Sequence, residues 1–420
     1  MEAYANALLI AVPLFMFLIT IEIIYGHYVG KQTHTFMDTI SSLTSGITNV
    51  IKDSLGLIII LVSYPYLVEK ISIISLPNNF FLWFIAFICI DFAQYWIHRL
   101  NHKINFFWNQ HIIHHSSEEF NLACALRQSI SNLLGFTAVF LIPAAILGVP
   151  PKIITTLAPL HLFGQFWYHT KHIGKLGFLE YIIVTPSQHR VHHAINPEYI
   201  DKNLASIFCV WDRLFGTFQE ELDDVEPVYG VLKPVRTWNP FWINFQHLWR
   251  LITDAFYTRD WKAKFLIWFK PTGWRPDDMK KRFPIPTIND VKSQVKYSVN
   301  TTLEVKIWAF IQLLAVNIFL FFLLYNYSEL DINHRFWIAS IIMITIFGYT
   351  SIMDGHKWAN RFEFVRCSLA LIYFNLPFQF EFYSFVSKPF LYFSIFYFSL
   401  TLLSLLFIRM PVKIVYGETD

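Results

Sequence analysis

The chain has 420 residues, of which 55% are hydrophobic, 18% aromatic and only 15% charged, with a mean hydropathy of +0.41. A soluble protein of this length carries more charge, so the solvent implied is a lipid bilayer. The formal net charge of +3 gives no reason to invoke nucleic acid, and the scattered Cys89, Cys124, Cys209 and Cys367 suggest neither a disulfide framework nor a thiolate metal site.

A helix needs about 20 apolar residues to cross the hydrocarbon core. Nine candidate spans follow in chain order, near residues 7–25, 54–68, 79–97, 132–149, 153–168, 306–325, 335–352, 367–386 and 389–408. The first lacks a basic leader and a small-residue cleavage site, so it reads as a retained span, with Glu22 near its end. The fourth and fifth are joined by Val149-Pro150-Pro151-Lys152, a break that makes a helical hairpin, spanning or re-entrant, whose ends return to one side.

With the N-terminus outside, the external loops hold only Lys70, Lys152, Arg335 and Lys388. The short internal segments then hold Lys31, Lys52, Arg99, Lys103, Arg127, Lys357, Arg361, Arg366, Arg409 and Lys413, as the positive-inside rule asks. The long segment 171–305 becomes cytoplasmic. Its second half is basic with interleaved Trp and Phe, the pattern of amphipathic stretches on an anionic leaflet or of a solvated basic face. The expected fold is an all-α polytopic membrane bundle with a cytoplasmic, histidine-rich two-metal site. The chain divides into a membrane part over 1–222 with its core at 79–222, a connector over 223–305 and a C-terminal helical region over 306–420.

Eight of the 16 histidines fall in three short clusters. His98 and His102 close the third span. Residues four apart on a helix rise about 6 Å and share one face, so both imidazoles can aim at one point. His111, His114 and His115 follow, and His189, His192 and His193 repeat the same H-x-x-H-H spacing just after the hairpin. In each, the outer pair shares a face and the middle ring is offset toward a neighbouring point. The hairpin brings the third cluster to the face of the first two, and eight imidazoles exceed what one ion accepts, so two ions with about four rings each is the economical reading.

His169 and, behind it, His172 sit where the hairpin re-emerges and are further candidates, as ligands or as hydrogen-bonding support. Asp91, seven residues before His98, and Glu118, just after the second cluster, are the carboxylates best placed to orient ligand rings, an interhelical polar contact being the equally ordinary reading of Asp91. His161 reads as a packed, hydrogen-bonded residue or as pocket lining. A heme site would leave four or more histidines unexplained, and no dinucleotide-binding G-x-G-x-x-G is present. A metal transporter is the distant alternative.

The stretches Asp91-Phe-Ala-Gln-Tyr-Trp-Ile-His98-Arg-Leu-Asn-His102, Trp108-Asn-Gln-His111-Ile-Ile-His114-His115-Ser-Ser-Glu118 and Thr185-Pro-Ser-Gln-His189-Arg-Val-His192-His193 resemble the fatty acid hydroxylase and sterol desaturase superfamily. Trp167-Tyr-His169-Thr170, Asp201-Lys-Asn203 and Trp211-Asp-Arg-Leu-Phe-Gly-Thr217 look most similar to its alkylglycerol monooxygenase branch. The resemblance implies two irons, dioxygen, a lipid substrate and an external electron donor, tetrahydrobiopterin in that branch. It leaves fatty acid, sterol or carotenoid hydroxylation or desaturation as the nearer alternatives. One position departs: where that branch carries a glutamate after the second histidine of the first motif, this chain has Lys103, a charge reversal bearing on pterin use, substrate choice or metal tuning.

Overall fold

Helix α1 (Glu2–Tyr28) is apolar along nearly its whole length, and it packs on a long helix from the other end of the chain. In the computed structural model, which describes residues 2–375 and 388–413, the chain is mostly helical. The described strands are two-residue pairs: β1 (Ile59–Ile60) runs parallel to β2 (Leu134–Gly135), and β3 (Val299–Asn300) antiparallel to β4 (Val412–Lys413).

Helix α2 (Phe36–Ser54) lies where no span is predicted. Its Ser41, Ser42, Thr44, Ser45 and Thr48 are nevertheless buried. Thr44 and Ser45 donate back to the carbonyls of Ile40 and Ser41 at 2.6 and 2.8 Å, so these two hydroxyls are buried with their donors met. The span expected at 54–68 does not form. Gly56, at a φ of 66°, ends the helical run, and β1 then pairs with β2 before α3 (Tyr64–Ile71) begins.

Helix α4 (Phe80–Lys103) starts where Asn79 Oδ1 accepts from Leu82 N, and it carries Asp91, His98 and His102. Two one-turn helices, α5 (Asn105–Trp108) and α6 (Ile112–His115), follow. The predicted hairpin consists of α7 (Thr137–Phe140), α8 (Ile142–Ile146) and α9 (Pro151–Phe163). All three are too short to cross a bilayer outright. The α8–α9 turn is tied to the chain before α4: a Cβ on Gly148 would lie 2.1 Å from Ile74 O, so only glycine fits there. Both ends of this segment do return to one place, Ser131 donating to Asn109 O at 2.9 Å and His169 lying among the other clustered histidines.

The third histidine cluster forms α10 (Pro186–His193), capped by Thr185, and α11 (Val210–Leu214) follows. Helix α12 (Pro240–Tyr257) buries Ile243, His247 and Leu251, while Trp249 and Phe256 are largely exposed. Its exposed aromatic row continues through Trp261 and Phe265 of α13 (Trp261–Leu266), and α14 (Asp277–Arg282) closes the connector. His247 Nε2 lies 2.9 Å from Asn105 O, which ties α12 to the histidine-bearing region.

The C-terminal helices are α15 (Leu303–Tyr325), α16 (Ile332–Met353), α17 (Ala359–Asn375) and α18 (Lys388–Ser404). Helix α15 packs on α1, α2 and α16 in the largest apolar core, and a second core joins α3, α4 and the α7–α9 segment. Among the described residues, four helices are long and apolar enough to span: Tyr4–Tyr28, Phe80–Lys103, Leu303–Tyr325 and Ile332–Met353. The other predicted spans are shorter helices or broken segments, and the one expected at 367–386 lies outside the described residues beyond 375.

Candidate metal centre

Nine imidazoles from four separate stretches meet in two adjoining groups. His98, His102, His111, His115 and His192 form one, and His114, His169, His189 and His193 the other; within each, one ring nitrogen per residue lies within 4.8 Å of the rest. The two H-x-x-H-H motifs are used in opposite senses. Around α6 the outer pair, His111 and His115, joins the first group and the middle His114 the second. On α10 the outer pair, His189 and His193, joins the second group and the middle His192 the first. The groups touch through stacked rings of His115 and His193, centroids 4.4 Å apart.

The nitrogens face one another. His98 Nε2 and His111 Nε2 are 2.9 Å apart, His111 and His115 3.1 Å, His169 and His189 2.9 Å, and His189 and His193 3.0 Å. A nitrogen in two such contacts cannot settle both with one proton. Imidazoles at right angles around a cation, each about 2.1 Å from it, have nitrogens about 3 Å apart, so the donor set fits a metal in each group. Burial, reinforced by neighbouring imidazoles, holds His111, His115, His189, His192 and His193 well below the usual histidine range, and burial pushes His114 down to about 4. They are therefore neutral donors at physiological pH, the form a metal takes.

Carbonyls set the tautomers. His98 Nδ1 lies 2.7 Å from Leu204 O, His192 Nδ1 3.0 Å from Lys202 O, His169 Nδ1 3.0 Å from Gln165 O and His114 Nδ1 3.3 Å from Arg127 O. A proton on each Nδ1 leaves the Nε2 lone pair free. One loop does much of this work. Asp201 and Asn203 take the left-handed conformation, at φ of 57° and 51°, and the loop aims Asp201 at His102, Lys202 O at His192 and Leu204 O at His98. Asp212 pins the loop by accepting from Leu204 N and Ala205 N at 2.7 and 3.0 Å. Asn203 fastens it through Gln188 O and Gln219 O.

The other residues singled out from the sequence lie elsewhere. His172 belongs to neither group and packs edge-on against Tyr25. Asp91 touches none of the nine rings: its face of α4 meets α9 and the 207–211 segment, where it accepts from His161, Ile207 N, Phe208 N and Trp211 Nε1 at 2.7 to 3.0 Å. Glu118 accepts from Tyr297 N, and burial pushes its carboxyl up to about 7. The carboxylate that does reach a clustered histidine is Asp201, whose Oδ1 is 3.4 Å from His102 Nδ1.

A cavity of about 450 Å³ opens onto five of the nine histidines, from both groups. Tyr4, Leu8, Val12, Phe15 and Met16 line it from α1, and Leu43, Ile47 and Val50 from α2. The α1 positions share one helical face and extend about 18 Å along it, so an apolar stretch of the cavity wall leads toward the two histidine groups.

Residues 83–217 match the fatty acid hydroxylase family. The alkylglycerol monooxygenase of Homo sapiens is 32% identical over 368 residues, covering 87% of this chain and 82% of the human one. That of Xenopus tropicalis is 33% identical over 363 residues, covering 85% and 79%. The chain belongs to the alkylglycerol monooxygenase family. It is thus a lipid-hydroxylating membrane monooxygenase. An ornithine lipid hydroxylase of Rhizobium tropici is 28% identical over 134 residues, covering 32% of this chain. No solved structure matches.

Proposed function

We propose that the chain holds two iron ions, one on His98, His102, His111, His115 and His192 and one on His114, His169, His189 and His193, and hydroxylates the carbon next to the ether oxygen of an alkylglycerol. The observation that carries this reading is the cavity, apolar along α1, that opens onto both histidine groups. Bound iron would supply the activation of dioxygen and the oxidation of the C–H bond. One dioxygen, two electrons and two protons then give the hydroxylated ether and water, and this hemiacetal separates into a fatty aldehyde and glycerol.

The chain's own residues do the rest. The carbonyls of Leu204, Lys202, Gln165 and Arg127 hold the rings in the ligating tautomer. Packing by Phe120 and Tyr168 against the second group excludes water from the site, and α1 and α2 hold the alkyl chain in line with it. The electrons come from outside, from a tetrahydropterin or an electron carrier. The lysine and arginine distribution supports placing the histidines on the cytoplasmic side. The aromatic faces of α12 and α13 then rest in the headgroup layer.

The test is metal content together with lipid-dependent oxygen uptake. Purified protein should hold about two irons per chain and release hexadecanal from 1-O-hexadecylglycerol when a tetrahydropterin is supplied. A preparation that holds zinc alone and consumes no oxygen with any lipid overturns the reading.

A further inference from the structure

The cavity wall beside the first histidine group carries amides that fold stability does not explain. Gln94 and Asn101 lie on α4 four residues before and three after His98, so they flank that ring by one turn on either side, and Gln110 directly precedes His111. Among the described residues no protein group hydrogen-bonds the side chain of any of the three, and Asn101 Oδ1 is buried without a partner. Two other amides in the same wall are committed to the protein: Gln128 Nε2 donates to Ala125 O at 3.2 Å, and Gln165 meets His161 and Tyr168. A buried polar group left unpaired costs about 1–3 kcal/mol; that cost falls on Asn101 Oδ1, and Gln94 and Gln110 offer two further unbonded amides to the same cavity, so a polar ligand there can satisfy all three.

The charge of the wall narrows the ligand. Apart from histidines, the charged side chains lining the cavity are Lys52 and Asp53, which neutralise each other at 3.0 Å, and Lys52 also donates to Ser129 O. A phosphate or carboxylate head group would find no free cation there. Hydroxyls both donate and accept, as do carboxamides.

We propose that Gln94, Asn101 and Gln110 form a head-group subsite that takes an uncharged diol and thereby fixes which carbon of the lipid lies at the metal centre. This rests on the lipid monooxygenase reading above. With the hydroxyls on these amides, the ether carbon sits next to His98 and His111 and the alkyl chain runs away along α1.

The test compares 1-O-hexadecylglycerol with hexadecyl propyl ether, which has the same ether linkage and no hydroxyls. Wild-type protein should favour the diol by about a hundredfold or more in kcat/KM, as sites built to bond a hydroxyl do. The shape-conserving variants Gln94→Met, Asn101→Leu and Gln110→Met should each narrow that ratio at least about tenfold while iron content stays at the wild-type level. Equal loss of rate on both ethers, or a wild-type protein indifferent to the hydroxyls, overturns the subsite but leaves the monooxygenase reading standing. If neither ether is oxidised, calorimetric titration with 1-O-hexadecylglycerol still decides: tight binding weakened at least about tenfold in the variants supports the subsite, and equal binding rejects it.

Discussion

Lys103 Nζ lies 2.6 Å from Asp201 Oδ2, and the other oxygen of the same carboxylate lies 3.4 Å from His102 Nδ1. Burial alone would raise the Asp201 carboxyl, but its hydrogen bonds to His102 and Lys103 outweigh that, and it titrates below the ordinary aspartate range. Lys103 thus holds the acid that orients a clustered ring. Asp201→Asn tests this cleanly, because asparagine tolerates the left-handed backbone that the position requires. Metal affinity measured by chelator competition should fall by about 10- to 100-fold. Lys103→Ala should leave the fold intact, since its ammonium is half exposed and such pairs contribute under about 1 kcal/mol.

His169 and His172 lie three residues apart and play different parts. His169 Nε2 faces His189 at 2.9 Å and His114 at 3.4 Å, while His172 packs on Tyr25 outside both groups. His169→Ala should lower bound iron toward about one per chain and abolish turnover, the second group being left with three rings. His172→Ala should retain the full complement. Elemental analysis of both purified variants checks the contrast, and equal metal loss in the two would place the second ion elsewhere.

Asp91 is a structural hub. Its buried carboxylate takes four donors from two other parts of the chain, α9 and the 207–211 segment, and removing one partner of such a network costs about 3–5 kcal/mol. Asp91→Ala should therefore reduce the yield of folded protein and its thermal midpoint, measured in detergent by intrinsic fluorescence. Asp91→Asn, which keeps the acceptor oxygen and loses the charge, should fold with a smaller loss and still bind metal.

The three histidine clusters were legible because both ligand geometries, the i, i+4 pair and H-x-x-H-H, are written as residue types at helical spacing. His169 was legible as a candidate from its place at the hairpin's end. The division into five and four was not, because which point His114 or His192 faces depends on how α6 and α10 oppose each other. Nor were the groups that orient the rings: Leu204 and Lys202 act through carbonyls, which every residue has, and only the left-handed turn at Asp201 and Asn203 aims them. Asp91 looked like a ligand's partner from its seven-residue spacing, but α9 covers that face first. Helix α2 escaped for a different reason: serine and threonine lower its hydropathy, yet their hydroxyls bond within the helix and let it be buried.

Glu118 gives the protein a pH dependence of its own. Burial raises its carboxyl from about 4.5 to about 7, while the bond from Tyr297 N partly opposes the rise. With the folded value above the unfolded one, the folded protein binds more protons between these limits, so stability falls as pH rises from about 4.5 to about 7 and is flat beyond. The full shift corresponds to at most about 3 kcal/mol. Glu118→Gln keeps an oxygen for Tyr297 N and removes the charge. It should raise the thermal midpoint at pH 8 and change it little at pH 4.5, where the glutamate is already protonated in the folded protein. The same increase at both pH values would assign the effect to packing, and the carboxyl would then titrate near its ordinary range.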